Sequence, residues 1–206
     1  MTEPGTARLS QHLRRNALPL ALAVMALLGQ LGGAQLIETL RYDRAAILDG
    51  QWWRVLSGHI VHVGWMHLAM NVAGLVLVWL LFGVRLSTQR WLVVLLLSAL
   101  GVSAGLLLRQ PDLNWYVGLS GVLHGLFAAG IVAALAVGDR GALVLAIALV
   151  VKLIWEGMAG PMPGTGEWVG ARVVTEAHLY GALAGGATSV AALIAVRLLR
   201  GTPARG

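Results

Sequence analysis

The feature that most constrains this chain is its division into six apolar segments, separated by polar stretches that carry arginine. The segments cover residues 18–36, 67–84, 91–108, 118–137, 141–155 and 174–199. Only 12% of the residues are charged and 58% are hydrophobic, whereas about a quarter of a soluble domain is charged. The mean hydropathy is +0.77. Since a helix needs about 20 apolar residues to cross a bilayer, the pattern predicts an all-α membrane protein, a bundle of six transmembrane helices. A thinned bilayer or tilted packing would accommodate the shorter segments.

The first apolar segment follows a polar, basic stretch, residues 1–16, which we expect to be disordered or interfacial. A basic stretch before an apolar run also describes a signal peptide, and the residues Gly32-Gly33-Ala34 could serve as its cleavage site. Because five more apolar segments follow, we interpret the first as a retained helix. The predicted organisation is a tail at residues 1–16, a helical domain at residues 17–199 and a tail at residues 200–206.

The arginines predict the orientation in the membrane. Six spans place both termini on one side, and that side carries nine arginines against five on the other. Because basic residues are enriched in cytoplasmic segments, both termini are expected to be cytoplasmic. The net charge of +6 does not indicate nucleic-acid binding, since the arginines lie singly between apolar segments. The absence of cysteine excludes disulfides and thiolate metal sites.

Polar residues recur in the first turns of the second, fourth and sixth predicted spans, which all begin at the outer face in this topology. They are His67 and Asn71, Ser120 and His124, and His178. A polar side chain inside a membrane segment is costly and usually faces the bundle interior or a hydrated cavity. Their similar depth therefore predicts one polar site built by three helices.

Ser120 lies in the octapeptide GLSGVLHG, residues 118–125, at the start of the fourth apolar segment. A hydroxyl flanked by glycines at a helix start is accessible, and the free N–H groups there can bind an oxyanion. A histidine is the usual base that activates a serine, and both His124 and His178 are candidates. We assign His178, because it lies on another helix and can approach the hydroxyl from the side. The alternative interpretation of the octapeptide is a small-residue contact between two membrane helices.

Pairs of glycines favour a close approach of the fourth and sixth spans. Gly121 and Gly125 are four residues apart, as are Gly181 and Gly185. Small residues at this spacing let two membrane helices approach closely. The approach would bring the serine and the histidine within hydrogen-bond distance.

His67 and Asn71 share one helix face because they are four residues apart. With the Ser120 backbone N–H they can supply three donors to an oxyanion. The alternatives are a merely solvated histidine at the interface and an asparagine that hydrogen-bonds another helix.

An acidic partner for the histidine is not evident. Glu176 lies two residues before His178 and points to a different side of the helix. Asp139 is expected at the opposite membrane face, and Glu156 and Glu167 lie in or near the glycine- and proline-rich loop before the sixth span. The sequence therefore predicts a Ser–His dyad.

Neither a metal nor a cofactor is predicted. His59, His62 and His67 cluster in the sequence, but no HExxH pattern or nearby carboxylate completes a metal site.

These residues together resemble the rhomboid family of intramembrane serine proteases. The matching motifs are Trp53-Arg54 and His62 in the first loop, HxxxN at residues 67–71, GxSG at residues 118–121 and AHxxG at residues 177–181. They occur in the family's order and place the resemblance over about residues 17–199. The resemblance implies a membrane-embedded first loop and a mobile cap before the sixth helix. It also implies site residues: catalytic Ser120 and His178; oxyanion donors His67, Asn71 and the Ser120 N–H; supporting residues Gly118, Gly121, His124 and Gly181; and structural residues Trp53, Arg54 and His62.

The extended octapeptide is similar to that of the rhombosortase subgroup. This resemblance implies bacterial processing of membrane-anchored proteins whose C-terminal tail has a Gly-Gly motif, a transmembrane helix and a basic end. It also implies the inner membrane, with the active site toward the periplasm. Rhomboids often carry an aromatic residue where this chain has His124, so two roles are open for it: stacking on His178 or sharing in proton transfer.

Three alternatives remain beside this function. The chain could be a general rhomboid protease with other substrates, or a non-catalytic relative that binds membrane helices, although such relatives usually lack the serine or the histidine. A small transporter also places polar residues at depth, but here they lie near one face and no inverted repeat is apparent. The expected partners are a membrane-anchored protein substrate and the lipid bilayer.

Overall fold

The computed structural model describes the backbone of residues 4–201 and the side chains of residues 16–199. This part of the chain is mostly helical. Its helices are α1 (Pro4–Leu31), α2 (Gly33–Leu40), α3 (Arg44–Leu48), α4 (Arg54–Ser57), α5 (Trp65–Phe82), α6 (Thr88–Arg109), α7 (Ser120–Ala136), α8 (Gly141–Ala159), α9 (Thr165–Val169) and α10 (Thr175–Gly201). Two short strands, β1 (Tyr42–Asp43) and β2 (Trp115–Tyr116), form an antiparallel pair.

The described residues contain four helices that are long and apolar enough to cross a membrane, namely α5, α6, α8 and α10. The bent pair of α1 and α2 is a fifth candidate span. The chain is therefore a multi-pass membrane protein. Helix α7 has 17 residues, which corresponds to about 25 Å at 1.5 Å per residue, against about 30 Å for the hydrocarbon core. The count of six spans stays a prediction.

The structure corrects the C-terminal end of the first predicted segment. The helix breaks at Gly32, and α2 departs from α1 at 118°, so residues 18–36 do not form one straight span. Gly33 has a φ of +67°, a conformation that glycine adopts without steric cost. At the other end α1 begins at Pro4, inside the stretch expected to be disordered or interfacial. The remaining predicted tail residues, 1–3 and 202–206, lie outside the described residues.

Helix α7 lies at the centre of the bundle, packed against α5, α6, α8 and α10. Glycine and alanine make up much of its surface, so neighbouring helices can approach its backbone, and most of its residues are buried. A Cβ at Gly181 of α10 would overlap the Gly121 carbonyl oxygen, and one at Gly185 would overlap that of Gly125. The close approach that the glycine spacing predicts is present.

The loop between α2 and α5 is organised around Arg54. Its guanidinium donates to three acceptors, the Gln51 Oε1 and the carbonyl oxygens of Glu38 and Arg41. Trp53 is half exposed and packs near this guanidinium. In the β pair Tyr42 lies opposite Tyr116, so the loop is joined to the segment that leads into α7. The loop thereby helps to place Ser120.

His59 is buried in the same loop and is neutral. Its Nε2 lies 3.1 Å from both the Ala99 carbonyl oxygen and the Ser103 hydroxyl. Because the Ser103 hydroxyl donates to the Val55 carbonyl, its oxygen accepts from His59, and Nε2 carries the proton. Burial lowers the pKa of His59 to about 4. Burial and the neighbouring His67 lower the pKa of His62 to about 3.

Stability is therefore expected to fall on acidification. An unfolded histidine binds a proton below about pH 6.5 whereas folded His59 does not until about pH 4, so protonation favours the unfolded chain across that window. The loss from His59 is on the order of 3 kcal/mol and is complete near pH 4. Thermal unfolding in detergent should show a smaller decrease in Tm between pH 6.5 and 4 for His59→Gln, whose amide N–H can still donate to Ala99. Equal decreases in the two proteins would contradict this.

Candidate active site

Ser120 and His178 meet where α7 and α10 begin. Ser120 is the first residue of α7, and His178 lies in the first turn of α10. The His178 Nε2 is 3.0 Å from the Ser120 Oγ. The structure thus brings together the two residues that the sequence predicts as nucleophile and base.

The turn before Ser120 requires glycine. Gly118 has a φ of +119°, which L side chains rarely adopt, and a Cβ there would lie 2.6 Å from the His67 Cε1. Its N–H donates to the Gly58 carbonyl, and its carbonyl accepts from the Tyr116 hydroxyl at 2.8 Å. These contacts hold the chain as it enters α7. The sequence gives no signal for this role of Tyr116, because a hydrogen bond to a backbone carbonyl needs no particular residue type at the partner position.

A carboxylate reaches the histidine, contrary to the prediction. The Glu156 Oε2 lies 2.9 Å from the His178 Nδ1, and the Glu156 Oε1 lies 2.5 Å from the Lys152 Nζ. The prediction of a pair without an acidic neighbour is wrong, because α8 continues to Ala159 and carries Glu156 as a buried helical residue. Asp139 pairs with Arg85 instead.

One sequence signal points to Glu156 in retrospect. A glutamate four residues after a lysine places opposite charges on one helix face. Lys152 and Glu156 stand in this relation inside an otherwise apolar segment, where ionisable residues are rare and usually functional.

His124 stacks on His178. The ring centroids are 4.2 Å apart and the ring planes differ by 13°. The His124 Nδ1 is 2.8 Å from the Ser120 carbonyl oxygen, so this nitrogen carries a proton and donates it. Of the two roles open from the sequence, the geometry favours stacking.

His67 and Asn71 line the same cavity as Ser120 and His178. The Asn71 Nδ2 donates to the His67 carbonyl at 2.8 Å, and its second N–H is not used by that bond. Among the described residues, the Asn71 Oδ1 and the His67 Nδ1 are buried without a hydrogen-bond partner. The fully buried ring of His62 meets the His67 ring edge-on at 4.9 Å. His62 therefore packs behind His67 and restrains its ring.

The cavity has a volume of about 670 Å³. Its walls come from α5, α7, α8, the segment around β2 and the loop before α10, and they are mostly apolar. Ser120, His124 and His178 are among the polar residues that line it. The volume lies within the range of small-molecule and peptide pockets.

A cluster of His124, Glu156 and His178 has ligand atoms within 4.8 Å of one another, as a metal site would need. Nitrogen lone pairs lie in the ring plane, and the two stacked rings are nearly parallel. Their lone pairs therefore do not converge on one ion. The ammonium of Lys152 on Glu156 adds electrostatic repulsion toward a cation. The geometry fits a hydrogen-bonded site better than a metal centre.

Comparison with known proteins identifies one family. A family model described as Rhomboid domain matches residues 49–195, which is more than half of the chain. No curated protein matches the chain significantly.

Proposed function

The chain belongs to the rhomboid family, whose members are generally intramembrane serine proteases, and on this premise we propose that it is a serine endopeptidase that cleaves membrane-anchored proteins. The observation that carries the proposal is the 3.0 Å contact between the Ser120 Oγ and the His178 Nε2. Both groups line a cavity where α7 and α10 begin. A helix-binding relative without activity would not need this contact.

The reaction is acyl transfer through Ser120. The His178 Nε2 accepts the hydroxyl proton while the Oγ attacks the scissile carbonyl, and the resulting oxyanion accepts from the Ser120 N–H, His67 and Asn71. The imidazolium then gives its proton to the leaving amine, which releases the C-terminal fragment and leaves an ester on Ser120. Water, deprotonated by His178, cleaves the ester, and the serine regains its proton.

The cavity accounts for substrate and water access. Lipid excludes water, so hydrolysis inside the membrane needs a hydrated recess connected to the outer face. The polar helix starts supply such a recess, and the apolar walls suit the side chains of an unwound transmembrane segment. The cleavage position is therefore expected near the outer end of a substrate helix.

The proposed substrates are proteins with a C-terminal Gly-Gly motif, a transmembrane helix and a basic end, as in rhombosortase processing. The octapeptide GLSGVLHG supports this assignment. The corresponding location is the bacterial inner membrane, with six spans, cytoplasmic termini and a periplasm-facing site. A general rhomboid protease with other substrates is the second candidate.

Two reporters, each co-expressed with the protein, separate these candidates. One carries the Gly-Gly, transmembrane and basic tail, and the other carries a transmembrane segment cleaved by general rhomboid proteases. We expect cleavage of the first by the wild type and none by Ser120→Ala at equal membrane levels. Cleavage of the second reporter alone would reject the rhombosortase assignment and leave the protease. Cleavage of neither by the wild type, or cleavage that survives Ser120→Ala, would reject the proposed function.

A further inference from the structure

Glu156 occupies an unusual place on α8. Most of this helix is exposed, and its only buried residues are Ala142 and Glu156. The side chain of Glu156 is 4% exposed. Burying a carboxylate in a membrane segment is costly unless it is paired and hydrogen-bonded. Its position therefore calls for partners that use both oxygens.

Both carboxylate oxygens of Glu156 are engaged. The Oε1 accepts from the Lys152 ammonium, one helical turn earlier, and the Oε2 accepts from the His178 Nδ1. A carboxylate accepts and cannot donate, so the Nδ1 carries the proton. The other ring nitrogen of His178 must then present a lone pair to the Ser120 hydroxyl. This is the tautomer that a base for Ser120 needs.

The ring of His178 is restrained in two directions. Glu156 holds one edge, and His124 covers one face at 4.2 Å. Lys152 in turn limits the rotamers of Glu156 and balances its charge, since residues four apart on a helix are neighbours. The carboxylate also stabilises the imidazolium that forms when the base accepts a proton.

We propose that Glu156, anchored by Lys152, is a positioning residue that completes a Ser120–His178–Glu156 triad. The inference rests on the proposed function, because it assigns a role in the same reaction. The alternative is that Glu156 is purely structural: its contacts with Lys152 and His178 would join α8 to α10 without affecting the reaction. The two differ in what they predict for the reactivity of the serine in folded protein.

The test measures serine reactivity separately from stability. Protein purified in detergent is reacted with a fluorophosphonate probe, and kcat and KM are measured on whichever reporter the wild type cleaves. For Glu156→Gln we expect kcat and the labelling rate to fall at least about 10²-fold, toward the loss of about 10⁴ that follows removal of the acid of a serine protease triad. KM should change by less than about threefold, because both oxygens of Glu156 are engaged by Lys152 and His178 and its proposed role is to orient the His178 ring, not to bind the substrate.

Three further variants sharpen the result. Glu156→Asp should recover part of the labelling rate, because the charge is kept on a shorter stem. Lys152→Met should lower the labelling rate about tenfold, which is less than the loss expected for Glu156→Gln, because it leaves the carboxylate in place without its anchor. The control is Glu167→Gln, which removes an exposed carboxylate of α9, between α8 and α10. This variant should be labelled at the wild-type rate. A labelling loss of similar size in Glu167→Gln would overturn the assignment to Glu156.

Folding of the variants is tested in parallel. Because Glu156→Gln leaves the Lys152 ammonium without its carboxylate, the double variant Lys152→Met/Glu156→Gln removes both charges and avoids an unpaired cation. If Glu156→Gln or the double variant folds and is labelled within a factor of two of the wild-type rate, the ion pair of Lys152 and Glu156 is structural and the inference is wrong. If both variants unfold, while Glu156→Asp folds and labels at the full rate, the inference is also wrong.

The two proposals fail in different ways. If the wild type is not labelled, or if Ser120→Ala is labelled equally, the proposed function itself fails. If the wild type is labelled only at Ser120 and Glu156→Gln matches it, only the triad fails.

Discussion

Replacing His178 with alanine is expected to lower the cleavage rate at least about 10³-fold, and Ser120→Ala should cost as much. Without the imidazole the Ser120 Oγ loses the ring nitrogen that lies 3.0 Å away and accepts its proton. The His124 Nδ1 cannot replace it, because it already carries the proton that it donates to the Ser120 carbonyl. Residues that act as one unit show non-additive losses. The double variant should therefore be no slower than either single variant. Reporter cleavage, quantified with membrane protein levels held equal, measures all three rates.

A buried histidine outside the cavity provides the matched control. His59→Gln removes an imidazole that contacts Ala99 and Ser103, and it should leave cleavage at neutral pH within about twofold of the wild type. Residual cleavage by His178→Ala above one hundredth of the wild-type rate would mean that another group acts as the base. His124 would then be the residue to test next, because its ring covers His178.

Replacing Gly181 with alanine is expected to destabilise the protein and to disrupt the site together. The added Cβ would overlap the Gly121 carbonyl oxygen, a backbone atom that cannot rotate away, so α7 and α10 must separate. Overpacking of this kind costs about 1–3 kcal/mol. For a chain of this size the apparent Tm should fall by about 2–12 °C. Cleavage should fall at least about tenfold, because the separation lengthens the contact between Ser120 and His178.

Gly157→Ala is the matched control for this prediction. Gly157 lies on the exposed face of α8, and a Cβ there would meet nothing within 4 Å. Alanine is the better helix former by about 1 kcal/mol, so the control should be neutral or slightly stabilising. If Gly181→Ala were as stable and active as Gly157→Ala in thermal unfolding and reporter cleavage, the close contact between α7 and α10 would not determine the site.

Much of the fold and the site could be predicted from residues alone. Hydropathy places apolar helices in a membrane, because no other backbone arrangement of such segments satisfies its own polar groups there. Polar residues at one depth on three segments predicted the convergence of Ser120 and His178 with His67 and Asn71. Each of these inferences depends on composition or on the position of a residue within its own segment.

The tertiary structure decided what depends on relations between segments. Glu156 is 22 residues before His178 along the chain, across a loop without a regular pattern, so no spacing rule places its carboxylate on that imidazole. The sequence leaves two roles open for His124, stacking or proton transfer. The packing of α7 against α10 places its ring over His178. The 118° bend at Gly32 likewise lies inside one apolar segment, so hydropathy does not predict it. The sequence by itself determined the membrane class and the pairing of Ser120 with His178, which we propose as nucleophile and base, because local chemistry encodes them. Helix packing alone decided which carboxylate and which ring contact His178.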